Sequence, residues 1–227
     1  MLDAMARAPK RFQRIPRRRR APEQARRELL DAAERVFAEF QPDRVGLKEI
    51  ARAAGVSHAL VTHYFGTYAG LVEATLERRV RALREEMLVR VREVGALAQP
   101  ARLLAILFHA LTDPVHLRLM RWLLASERPS ASHVFAFADQ GMQRIALEVG
   151  KALLGRSPAP AELHAIENAL LTAVSAAYGY AMGKDALASA LGRSPGPELG
   201  EAVQETLAQM LQAHLREVLG ADLAPRS

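Results

Sequence analysis

A run of side chains able to do chemistry starts at Ser57. Ser57, His58, Ala59 and Leu60 are followed closely by Thr62, His63 and Tyr64. The hydroxyl and imidazole groups can donate to or accept from phosphate oxygens and base edges, and Ala59 and Leu60 suit a thymine methyl. His58 and His63 stand five apart, on different faces of a helix, which is poor spacing for a shared metal. Elsewhere His109 and Asp113 stand four apart, and Asp113-Pro-Val-His116 straddles a helix start. Neither has the clustered carboxylates that a helical-bundle metal enzyme needs. Gly-x-Gly-x-x-Gly, P-loop, His-Glu-x-x-His and Gly-x-Ser-x-Gly patterns do not occur. Cys is absent from the 227 residues, so disulfides, thiolate zinc sites and Cys nucleophiles are excluded. The expectation is a non-enzyme without cofactor or metal.

Charge points to an anionic partner. The chain carries a net +6, and residues 1–20 hold Arg7, Lys10, Arg11, Arg14, Arg17, Arg18, Arg19 and Arg20 against Asp3 alone. The rest is slightly acidic, so the excess belongs to one segment. With few apolar residues it reads as a basic flexible arm, residues 1–20. It lacks the apolar run of about 7–15 residues that makes a secretory signal; its composition also fits a mitochondrial presequence. The longest uncharged stretch, 168–183, contains Asn, Thr, Ser and Gly and is too short to span a membrane.

The elements that position these groups are helices. Ala, Leu, Glu and Arg dominate, and no alternating β-branched signature occurs. Pro22 and Glu23 suit a first turn, and Leu29, Leu30, Ala33, Val36, Phe37 and Phe40 follow at helical spacing. Short helices are predicted at about 47–54 and 58–65, and a long one after Thr67. Further helices are expected at about 101–112, 114–126, 134–154, 161–185 and 198–219.

Gly55 is suited to end one helix in the left-handed conformation and redirect the chain, with Ser57 capping the next. Small Ala51 permits close crossing, and Ile50, Ala54, Val56, Val61 and Tyr64 fall where two crossed helices share a core. The same pattern makes a plain αα-corner. The preceding apolar helix and basic arm favour a helix-turn-helix with the second helix as reader.

These residues resemble the TetR family of bacterial transcriptional regulators. The likeness rests on Leu29–Glu39, Leu47-Lys48-Glu49-Ile50-Ala51, Gly55-Val56-Ser57, His63-Tyr64-Phe65-Gly66-Thr67 and Gly70-Leu71, about residues 26–76. The resemblance implies an all-α chain: a basic arm (1–20), a three-helix helix-turn-helix domain (21–70) and a helical effector-binding and dimerisation domain (71–227). It implies DNA contacts from Lys48, Ser57, His58, Ala59, Leu60, Thr62, His63, Tyr64 and Thr67, with the arm's Arg17–Arg20 supplying affinity. Thr62 stands where the family usually has Tyr, and Tyr68 where it usually has Lys; both can still donate to phosphate. Gly46 replaces the usual Ser/Thr cap.

The implied partners are a double-stranded, palindromic DNA operator, a second copy of the chain and a small effector, in the cytoplasm and without a membrane. The effector-pocket candidates are Leu104, Phe108, His109, Met120, Trp122, Phe135, Met142 and Tyr178, whose apolar bias suggests a hydrophobic ligand. Each also suits an ordinary core. Ala165, Ala169, Ala173, Ala176 and Tyr180, with Val203, Leu207 and Met210, form a small-residue and apolar stripe suited to a two-fold dimer interface. Packing within one chain would use the same stripe. A nonspecific nucleic-acid-binding protein acting through the arm alone is the competing function.

Overall fold

The computed structural model describes residues 22–93, 100–126 and 141–220. The arm with Arg17–Arg20, and Phe135, lie outside them. Among the described residues all regular structure is helical: α1 (Pro22–Glu39), a 3-10 turn (Pro42–Arg44), α2 (Leu47–Ala54), α3 (His58–Phe65), α4 (Tyr68–Arg92), α5 (Pro100–Leu111), α6 (Pro114–Ala125), α7 (Gly141–Leu154), α8 (Pro160–Ala190) and α9 (Pro197–Leu219). Prolines open α1, α5, α6, α8 and α9, where the missing N–H costs nothing. No described helix is long and apolar enough to cross a membrane.

One core joins the amino-terminal helices. Leu29, Leu30 and Phe37 of α1 pack with Ile50 of α2, Val61 and Phe65 of α3, and Leu71, Val72 and Leu76 of α4. Leu119, Met120 and Leu123 of α6 complete the same cluster. Burying each of these side chains stabilises the fold by about 1.5–3 kcal/mol. Helix α4 therefore serves both halves, and α6 docks beneath the helix-turn-helix. Phe40, expected on the apolar face of α1, lies just past its end and is exposed.

The remaining helices build the body. Leu104, Leu107, Phe108 and Leu111 of α5 meet Ala173 and Ala177 of α8 and Ala208 of α9. Met87 and Leu88 of α4 meet Ile145 of α7. This packing divides the residues of the expected dimer stripe. Ala165, Ala169 and Ala173 are buried inside their own chain, on the same face as Ala177 and Ala181. Their small size brings α8 close to its own neighbours. Ala176, Tyr180, Val203 and Leu207 are half-buried, and Met210 is exposed. Tyr180 leans on Phe108, ring centroids 6.4 Å apart. The outward face of α8 carries Asn168, Leu171, Thr172, Ser175, Gly179 and Met182 instead.

Candidate nucleic-acid interface and the polar path behind it

The turn between α2 and α3 is built from backbone requirements. Gly55 has φ 65°, left-handed, and its N–H reaches the carbonyls of Ala51 and Arg52. Ser57 then caps α3, its hydroxyl accepting from the Leu60 N–H at 3.3 Å. At the start of α2 the Gly46 N–H donates to the Glu49 carboxylate at 2.9 Å. Backbone donors, including this one, hold Glu49 below the usual carboxylate range. Thr67 caps α4 by accepting from the Gly70 N–H at 3.0 Å. Gly70 is sterically fixed, because any Cβ there would collide with the Phe65 carbonyl. That close approach sets α3 against the root of α4.

These constraints turn one edge of the unit outward. Lys48, Ser57, His58, Ala59, His63 and Thr67 are exposed, and Leu60, Thr62 and Tyr64 are half-buried. Thr62 donates back to the His58 carbonyl at 3.2 Å. The His63 and Tyr64 rings meet edge to face at 5.3 Å. Arg52, one turn beyond Lys48 on α2, is exposed on the same side. Its i,i+4 relation to Lys48 is the sequence signal that would have added it to the candidates.

Tyr68 departs from its expected role. Its hydroxyl donates to the Pro42 carbonyl at 2.7 Å, and its ring meets Phe37 and Trp122 edge on. Burial, with Asp43 and Glu49 nearby, pushes its phenol well up. The single hydroxyl proton that phosphate would need is spent inside the protein.

The pocket candidates divide. Leu104 lines an apolar cavity of about 120 Å³ between α4, α5, α7, α8 and α9. Met142 and Tyr178 line a neighbouring cavity of about 80 Å³. Phe108 is buried beside the α8 alanines and lines neither cavity; His109 is exposed. Met120 and Trp122 line neither cavity and pack in or against the amino-terminal core. Met87, Leu107, Ile145 and Leu170 line both cavities and were missed, since periodicity marks them only as core.

A path of polar contacts runs from this region to α1. Tyr178 on α8 shares a 2.6 Å hydrogen bond with His116 on α6, its direction following the imidazole tautomer. Their rings stack with centroids 5.7 Å apart. Burial, reinforced by the nearby Arg79 charge and opposed by Asp113, pushes His116 down to about 4, so it is neutral at pH 7. Asp113 caps α6 by accepting from the His116 N–H at 2.9 Å. The Arg79 guanidinium joins Asp113 at 2.5 Å to Glu34 of α1 at 3.4 Å. Arg118 of α6 donates to the Phe37 and Ala38 carbonyls, the orphan acceptors at the end of α1.

Comparison with known proteins agrees with this geometry. Residues 29–75 match the bacterial regulatory proteins, tetR family. An uncharacterized HTH-type transcriptional regulator of Mycobacterium tuberculosis is 38% identical over 87 residues, 38% of this chain and 42% of that protein. The HTH-type transcriptional regulator BetI of Cronobacter sakazakii is 37% identical over 100 residues, 43% of this chain and 50% of BetI. The chain thus spans about half or less of the length of these curated relatives. The crystal structure of a tetR-family transcriptional regulator from Streptomyces coelicolor superposes with TM-score 0.60 at 26% identity, covering 88% of this chain and 90% of that one. These relatives are regulators, in keeping with the non-enzymatic reading of the sequence. Residues 29–75 thus carry the helix-turn-helix of the tetR family, and the described helices beyond them share the architecture of a tetR-family regulator.

Proposed function

We propose that this protein is a dimeric, sequence-specific DNA-binding repressor whose hold on a palindromic operator is released or retuned by a small hydrophobic effector. The observation that carries the reading is the outward edge of α3, where His58, Ala59 and His63 stand exposed on a helix that Gly55 and Ser57 fix in place. Lys48 and Arg52 on α2 flank it and suit phosphate. This edge is poor in Arg, Asn and Gln, so base readout is modest and phosphate contacts carry much of the affinity. The arm's Arg17–Arg20 add to that second share. Exposed Leu171, Met182 and Met210 on α8 and α9 offer apolar surface to a second copy. The cavities between α4 and α9 suit the effector.

The experiment selects duplexes from a random-sequence library with the full chain and titrates the winners by fluorescence anisotropy. His58→Ala relaxes the sequence preference. Replacing Arg17–Arg20 by Ala weakens binding to every sequence and flattens the salt dependence, the log–log slope falling by about 0.9 for each phosphate no longer neutralised. Deleting residues 1–20 leaves weakened but specific binding. A pool with no preference, and complete loss of binding on deletion, would establish the nonspecific arm-driven function instead.

A further inference from the structure

The two cavities share Met87, Leu107, Ile145 and Leu170, so they border one another at these side chains. At about 30 Å³ of liquid volume per water, the larger holds about four waters' worth of space. Its lining is apolar apart from Gln212, and Ala146, Ala169 and Ala173 leave room that larger residues would fill. The smaller cavity adds two polar groups, Arg84 of α4 and Tyr178 of α8. Along α8 the lining runs from Ile166 to Tyr178, about 18 Å at 1.5 Å per residue. Together they make a long, mainly apolar slot whose one cation among the described residues, Arg84, lines the smaller cavity.

That cation is singular on its helix. Arg78 pairs with Asp31 and Glu34, Arg79 with Glu34 and Asp113, Arg81 with Glu77, Arg90 with Glu93, and Arg92 with Glu148. Arg84, half-buried among them, has no ion pair or hydrogen bond among the described residues. Its side chain lies against Gly141, the first described residue of α7, where a Cβ would stand 3.2 Å from its Cδ and Nη1. A guanidinium lining an apolar slot, with no carboxylate partner among the described residues, matches a ligand that brings one.

We propose that this slot binds an amphipathic monocarboxylate, a carboxylate head on a long apolar body, with Arg84 taking the head and the Met87–Leu170 lining taking the tail. The fork of Arg84 suits the two oxygens of a carboxylate, and one cation balances one negative charge. The inference deepens the effector reading above and rests on it for its regulatory meaning, but binding itself is measured without DNA.

The test is calorimetric titration of the full chain with dodecanoate, dodecanol and dodecylammonium, each below its micelle-forming concentration. Dodecanoate binds on the order of tenfold or more tighter than dodecanol, as a charge-assisted hydrogen bond predicts, and dodecylammonium binds weakest. Arg84→Gln brings dodecanoate down to the dodecanol level and leaves dodecanol unchanged; Arg84→Lys keeps part of the preference. Retained dodecanol binding shows that the Gln variant is folded. Equal binding of acid and alcohol, no binding of dodecanoate, or an undiminished preference in Arg84→Gln overturns the proposal. Failure here with specific DNA binding intact leaves the regulator reading standing. Dodecanoate binding without specific DNA recognition has the reverse meaning.

Discussion

His116 offers the sharpest physical test of the path behind the helix-turn-helix. It is 2% exposed and faces Arg79 from α4, Asp113 from its own helix and Tyr178 from α8. Folding lowers its pKa from the ordinary 6.5 to about 4. Between those values the unfolded chain binds a proton that the folded chain refuses, so stability rises with pH there. The contribution is whole above about pH 6.5 and is lost progressively as the pH falls toward 4. At about 1.4 kcal/mol per tenfold change in proton affinity, the full loss is about 3 kcal/mol. The assay is urea unfolding followed by the fluorescence of Trp122, the one tryptophan of the chain, at fixed protein concentration and several pH values from 7.5 to 4.5. His116→Gln keeps a polar partner for Tyr178 and removes the titration. The wild type loses about 2–3 kcal/mol more than the variant across that range, while the other histidines cancel in the difference. Glu162, held down to about 2 by Arg156 and the Ala159 N–H, loses its contribution as the pH falls from about 4.5 toward 2, equally in both proteins, so it cancels in the difference. Parallel loss in the two proteins would refute the buried neutral histidine.

Two glycine substitutions separate backbone strain from collision. Gly55→Ala costs about 1–2 kcal/mol in thermal or urea unfolding, because its φ of 65° is strained for any Cβ while the space around it is open. Gly70→Ala costs more, since its Cβ meets the Phe65 carbonyl and α3 must shift; equal costs would contradict that geometry. Tyr68→Phe lowers stability by about 1–2 kcal/mol through the unpaired Pro42 carbonyl and leaves the affinity of the folded protein for its selected duplex unchanged. Unchanged stability with weakened DNA binding would instead make Tyr68 a phosphate contact.

What the sequence made legible follows from how local each determinant is. Gly55, Ser57 and Thr67 act within four residues of themselves, through a left-handed turn and two caps, so their types and spacing suffice to place the corner. Tyr68 and Trp122 are different. The polar tip of Tyr68 finds its acceptor on Pro42, 26 residues earlier, in a 3-10 turn too short to leave a periodic signal. Trp122 belongs to α6, and nothing in its own helix says that α6 packs under α1 and α4 rather than around a ligand. Helix α8 shows the limit most clearly. Its alanines at 165, 169 and 173 and its Leu171 and Met182 form two apolar faces, and periodicity finds both without ranking them. The choice is made by neighbours. α5, α7 and α9 press against the alanine face because small side chains let three helices approach one axis, and the larger residues are left outward by exclusion. The same logic explains Arg84: its separation from every carboxylate that serves the other arginines of α4 is a fact of how α7 and α8 lie beside it, so its freedom among the described residues emerges only in the assembled bundle.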